Sequence, residues 1–160
     1  MRPPGIQRGR FVLKGDEMRV CVLYCGNEPN EPKLKQLAEK LSDGIASNGH
    51  IVESFDMNLE MGKIISFYDY VVVISRSVSF FSKFIPENVR KFLKAAGTVS
   101  GKRCSCFISK NSGRKARVLQ NLMHIMESEG MYLKVSDILP NGDYAFAVGK
   151  RLHVESGMKE

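Results

Sequence analysis

Asp69-Tyr70-Val71-Val72-Val73-Ile74-Ser75 is the most strand-like segment of this chain. Its middle is apolar and β-branched, which favours an extended backbone. A second continuous run, Arg19-Val20-Cys21-Val22-Leu23-Tyr24, has the same character. Neither run alternates apolar with polar residues, so each strand must be covered on both faces, as happens in a parallel sheet sandwiched by helices.

The segments around these two runs fit that reading. After the first strand, Cys25 to Glu31 must be a loop, and Pro32 is suited to the first helical position, where its missing N–H costs nothing. Leu34, Leu37, Ala38, Leu41 and Ile45 then recur at helical spacing, up to a stop at Asn48-Gly49. Ile51 to Asp56 is a mixed strand suited to a sheet edge, and Leu59 to Phe67 is expected as a short helix or turn. Beyond Ser75 a polar loop leads to Pro86, which opens a helix with Val89, Phe92, Leu93 and Ala96 inward and Gly97 at its end. Lys102 to Ser109 is a fourth strand with Cys104, Cys106 and Ile108 on one face and Phe107 on the other. Ala116, Leu119, Leu122, Met123 and Met126 mark a helix stopped by Gly130. Met131 to Leu139 is a fifth strand, and Asp143 to His153 a last short helix. Alternating strands and helices require crossover connections and a parallel sheet. Residues 1–17 are expected to be a basic, flexible tail, residues 18–155 the domain, and residues 156–160 a polar C-terminal tail.

Composition bounds the function. The 160 residues suffice for one domain, and 43% hydrophobic with 26% charged content is ordinary for a soluble protein. No apolar run is long enough to cross a bilayer or to form a signal peptide, so a cytoplasmic protein without a membrane partner is expected. Cys21, Cys25, Cys104 and Cys106 are spaced C-x3-C and C-x-C, which does not match paired zinc ligands, so free thiols and no metal are expected. The net charge is +7, and its main concentration is residues 83–117, where Lys83, Arg90, Lys91, Lys94, Lys102, Arg103, Lys110, Arg114, Lys115 and Arg117 are opposed only by Glu87. His50, His124 and His153 lie near no nucleophile motif, and no catalytic constellation decides whether the chain is an enzyme.

Three stretches in combination are specific. They are Met18 to Gly26 with the following helix to Gly49-His50; Tyr68-Asp69 through Ser75, with Ile85-Pro86 opening a helix that ends Phe92-Leu93; and Gly101-Lys102 leading into the fourth strand and a helix ending Glu129-Gly130. Over about residues 18–154 this pattern resembles the flavodoxin family and its NAD(P)H-dependent FMN reductase-like relatives. The resemblance implies an α/β, three-layer fold with a five-stranded parallel sheet of order 2-1-3-4-5 and helices on both faces. It also implies an FMN site at the carboxyl ends of strands one, three and four. The activity it implies is electron transfer, or flavin-dependent reduction of a small acceptor, with a redox protein partner.

Three loops would build that site. In the first, Gly26, Asn27 and Lys33 are the candidate phosphate donors, but Pro29 and Pro32 lack an N–H and Glu28 and Glu31 bring negative charge. In the second, Ser75, Ser77 and Ser79 are candidate contacts, and Phe80 falls near the aromatic that the family stacks on the flavin ring. Phe81 and Phe84 lie close by, so the group reads as a flat-ligand platform, a protein contact surface or local core. In the third, Ser109, Asn111 and Gly113 keep the backbone accessible, with Lys110, Arg114 and Lys115 around it. Cys25 ends the first strand near a helix N-terminus, which lowers a thiol pKa, while Glu28 and Glu31 oppose that effect. Two functions stay open: an FMN-binding electron-transfer or reductase-type protein, and a flavin-free module meeting a protein partner through the aromatic and basic loops. Nucleic acid is at most a non-specific partner, since no recognised motif supports it.

Overall fold

The structure, a computed structural model, describes residues 17–155. The readings for the N-terminal tail (apart from Glu17) and for residues 156–160 lie outside the described residues. The described elements are β1 (Arg19–Cys25), α1 (Pro32–Ala46), β2 (Ile51–Asp56), β3 (Tyr70–Ser75), α2 (Glu87–Lys94), β4 (Arg103–Ser109), α3 (Lys115–Ser128), β5 (Tyr132–Leu139) and α4 (Gly142–Arg151). All four strand pairings are parallel, and the strands run in the order β2-β1-β3-β4-β5.

The three central strands are buried on both faces, and side-chain alternation divides their residues between two cores. Val20, Val22, Tyr24, Tyr70, Val72, Ile74 and Phe107 face α1 and α4. Cys21, Leu23, Cys25, Val71, Val73, Cys104, Cys106 and Ile108 face α2 and α3. The result is three layers. β2 and β5 carry exposed positions along their length, as sheet edges do.

Two segments depart from the sequence reading. Leu59 to Phe67 forms turns and no helix. Its apolar side chains are mostly exposed, so no sheet face is there to draw them into a turn of helix. On α3 the inward stripe is Val118, Leu122, Ile125 and Met126, with Leu119 and Met123 only partly buried and Ala116 exposed. The stripe is rotated toward Val118 and Ile125.

The amino edge of the sheet is pinned by polar contacts. The Asp69 carboxylate accepts the Arg19 N–H at 2.9 Å, and the Asp69 N–H donates to the Arg19 carbonyl at 2.8 Å, locking the starts of β1 and β3 together. Lys102, 5% exposed, donates from Nζ to the carbonyls of Ser66, at 2.7 Å, and Tyr68. Lys102 and Arg103 therefore lie at the opposite end of β4 from its exit loop.

α1 and α4 meet backbone to backbone. A Cβ on Gly44 would collide with the Phe146 carbonyl, and one on Gly149 would collide with the Leu41 carbonyl. Overpacking a tight contact costs about 1–3 kcal/mol. Gly149→Ala is therefore expected to lower the thermal midpoint by roughly 3–8 °C, measured by circular dichroism. An unchanged midpoint would contradict this crossing.

Candidate functional site

The exits of β1, β3 and β4 converge because the strands are parallel and in register: Cys25 lies beside Ser75, and Ser75 beside Ile108. Cross-loop hydrogen bonds then join the three loops. The Asn27 side-chain amide donates to the Val78 carbonyl at 3.0 Å, and the Gly113 N–H donates to the Phe80 carbonyl at 2.8 Å. Beneath them the Ser75 hydroxyl donates to the Cys25 carbonyl at 2.8 Å.

One carboxylate of the first loop, Glu31, is paired from the second loop. The Glu31 side chain folds back so that Oε1 accepts the Asn27 N–H at 3.2 Å and lies where a Cβ on Gly26 would be. Its other oxygen accepts from an Arg76 guanidinium nitrogen at 2.8 Å, and both side chains are largely shielded, at 15% and 20% exposure. Arg76 is itself fixed, because its Nε donates to the Ser77 carbonyl at 2.9 Å. Asp56, buried at the end of β2, accepts the Asn30 N–H at 2.7 Å and the Asn58 N–H at 2.9 Å. Asn30 holds a left-handed φ of 60°, a conformation that asparagine tolerates better than most residues. Asn58 donates to the Gly26 carbonyl at 3.1 Å and accepts from Asn88 at 2.6 Å. An open concavity of about 400 Å³ remains between residues 27–32 and Arg76.

The second loop is the most exposed apolar part of this face. Phe80, Phe81 and Phe84 are 56%, 80% and 61% exposed, so none of the three is core. The edge of the Phe80 ring rests on Gly113, where an added Cβ would come within 2.9 Å, and Phe80 meets Phe81 edge to face with centroids 5.1 Å apart. Ser77 is buried, and its hydroxyl has no hydrogen-bond partner. Ser79 is exposed, and its carbonyl accepts the Ser82 N–H.

In the third loop the Ser109 hydroxyl donates to Asn111 at 2.7 Å, and Ser112 accepts the Arg114 N–H at 3.0 Å. Lys115 turns back to the Ser112 carbonyl at 3.2 Å, while Lys110 and Arg114 are exposed. The structure thus brings Gly26, Asn27, Ser75, Ser77, Phe80, Ser109, Asn111 and Gly113 to one edge. Lys33 is exposed in the first turn of α1. The sequence reading missed Asp56, Asn58 and Asn88, and it treated Glu31 only as a repulsive charge. The Asp56-x-Asn58 spacing at a strand end is a turn signal that could have drawn attention to them.

The basic stretch does not form one surface. Lys102 and Arg103 lie at the far edge of the sheet, Arg103 pairs with Glu155 at 3.1 Å, and Lys94 pairs with Glu129 at 2.8 Å. Lys83 lies over the Phe84 ring, 5.5 Å from its centroid, and Lys110, Arg114 and Lys115 sit in or just after the third loop.

No family model matches the sequence, and no curated protein matches it. Solved structures do match. A flavodoxin from the domain Archaea superposes with a TM-score of 0.61 at 19% identity, covering 84% of this chain and 93% of that one. The fold is flavodoxin-like. Oxidised flavodoxin 1 from Bacillus cereus gives 0.61 at 14% identity, over 81% of this chain and 94% of its own. Two-electron reduced Megasphaera elsdenii flavodoxin gives 0.60 at 15%, over 83% and 99%. At these identities the likeness speaks for the architecture.

The residues present do not fit a flavin phosphate in the first loop. Two of the loop's N–H groups, at Asn27 and Asn30, already donate to carboxylates, and Pro29 and Pro32 have none. A phosphate placed against Glu31 would meet a like charge, at a cost of about 4 kcal/mol for two unit charges 4 Å apart near a surface.

Cys25 is fully buried at the end of β1. Burial first, then Asp56 and Glu31, pushes its pKa up to about 12 from an ordinary 9.0. Burial likewise pushes Cys104 to about 12 and raises Cys21 and Cys106. A thiol whose folded pKa exceeds its unfolded value lends stability that is complete below pH 9 and is lost as pH climbs toward the folded value, by about 1.4 kcal/mol per unit for each thiol. Lys102, lowered by burial, acts in the opposite sense, but as one group against the four thiols and the buried Tyr24, Tyr68 and Tyr70, which burial also raises. The urea midpoint is therefore expected to hold steady from pH 7 to 8.5 and to fall by pH 10.5. Native protein should also resist iodoacetamide at pH 8, and rapid alkylation of Cys25 would contradict its burial.

Proposed function

We propose that this chain is a flavin-free binding module on a flavodoxin-like fold, and that its loop edge meets a protein partner with an acidic surface. The observation that carries the reading is the exposed phenylalanine group of the second loop, with Lys83 over Phe84 and with Lys110, Arg114 and Lys115 in or just after the third loop, which is bonded to Phe80. Contiguous exposed aromatics are uncommon on a surface that meets only water, and rigid aromatic anchors within a charged rim are the anatomy of a protein interface. The first-loop N–H groups already held by Glu31 and Asp56 support the flavin-free part. Like-signed charge over one face speeds encounter with an oppositely charged partner and makes binding sensitive to salt.

A second reading is favoured by one contact. The edge of the Phe80 ring lies against Gly113 between the second and third loops, and the side chain is 56% exposed, so an FMN ring could be stacked on Phe80 even with a poor phosphate site. In that reading the chain carries electrons or reduces a small acceptor.

One preparation separates the two. The purified chain is expected to be colourless above 350 nm and to leave the fluorescence of micromolar FMN unquenched, whereas quenching would support the second reading. On immobilised bait, Phe81→Asp is expected to weaken partner retention at least tenfold, and half-molar salt to release it. Equal retention by wild type and Phe81→Asp would contradict the docking face.

A further inference from the structure

We propose that a pocket between α2 and α3 seats one apolar side chain of the partner, flanked by that partner's carboxylates. The inference rests on the docking reading of the loop edge and extends it onto the helices beside that edge.

The pocket is a cavity of about 230 Å³ lined by residues 84–87, Arg90, Asn121, His124 and Ile125. Its apolar part is made by Ile85 and Ile125, both nearly buried, and by the exposed Phe84. The Asn121 side-chain amide donates to the Lys83 carbonyl at 2.6 Å, which ties the end of the second loop to α3.

Size and position select the occupant. Pockets that enclose a free small molecule run to roughly 300–1,000 Å³. This one suits a single side chain. Phe84 belongs both to the pocket wall and to the exposed phenylalanine group, so a chain lying across the loop edge reaches the pocket without leaving the surface. An apolar anchor in a pocket with a polar rim is how a few residues come to carry most of the energy of a protein contact.

The rim selects carboxylates. The ion pair of Arg90 with Glu87 is loose, with Nε and Oε2 3.9 Å apart, beyond hydrogen-bond length. The guanidinium therefore keeps its planar fork of donors for an incoming carboxylate. Arg117, exposed one helical turn before Asn121, adds a cation on the same face of α3. Lys83 adds another where its backbone meets Asn121. These three cations outweigh Glu87, and His124 is exposed at the same rim.

The test titrates the isotope-labelled full chain with a short capped peptide that carries one leucine between two glutamates, followed by amide NMR. Saturable shifts are expected at Ile85, Glu87, Asn121 and Ile125. A peptide with alanine for the leucine is expected to bind at least about tenfold more weakly. One with glutamine for both glutamates is expected to bind roughly threefold to fivefold more weakly. Arg90→Gln, a change at a side chain 41% exposed, should remove the preference for glutamate and keep the dependence on leucine. Absence of saturable shifts at these four amides would overturn the inference. So would equal binding of the leucine and alanine peptides, or a glutamate preference that survives in Arg90→Gln. The same shifts appearing with protein concentration alone would assign the pocket to a second copy and overturn it too. Loss of the shifts beside a bait still sensitive to Phe81→Asp would end the pocket and leave the docking face, whereas a bait insensitive to Phe81→Asp would end the docking face and not the shifts.

Discussion

Burial of β1, β3 and β4 on both faces is the constraint from which the rest of this molecule follows. A strand such as Val71 to Ile74 has no side that tolerates water, so helices must cover the sheet above and below, and the connections between neighbouring strands must cross over it. Crossovers return the chain to the same end of the sheet each time. Every strand therefore points its carboxyl end toward the same edge, and the loops that leave β1, β3 and β4 are brought together by the requirement to bury valine and isoleucine. Asp69 and Lys102 at the opposite edge fix where the strands begin, and hence where their exits emerge.

At that edge, charged side chains take up polar backbone groups. In the first loop, the backbone N–H groups of Asn27 and Asn30 are taken by the chain's own carboxylates. Asp56 reaches across from β2 and Glu31 folds back from the start of α1. Arg76 then balances Glu31. The phenylalanines next door stay largely exposed despite the contacts of Phe80 with Gly113 and Phe81 and of Phe84 with Lys83. Polar groups on this face are mostly satisfied by the protein itself, while its large apolar side chains are not, and that imbalance is the physical argument for a partner.

Much of this was legible in the chain. The apolar runs at Arg19–Tyr24 and Asp69–Ser75 fixed the strands because their composition excludes an exposed face. The stripe Leu34, Leu37, Ala38, Leu41 and Ile45 located a helix because its spacing repeats every turn, and all five are buried. Local pattern misled where packing overrode it. Leu59 to Phe67 has apolar residues but finds no face to cover, and the inward stripe of α3 turned toward Val118 and Ile125. The basic stretch misled in another way, since neighbours in sequence such as Lys102 and Lys110 lie at opposite ends of one strand.

By itself, then, the sequence determined the layered parallel architecture and the edge at which loops 26–31, 76–86 and 110–114 gather, because burial and periodicity are local properties readable from residue order. Only the tertiary structure decided what those loops do with their charges. Whether Glu31 is a bare charge or a paired one depends on the distance from its carboxylate to Asn27, Gly26 and Arg76. Arg76 lies 45 residues away along the chain, and only the pairing of β1 with β3 brings the two together.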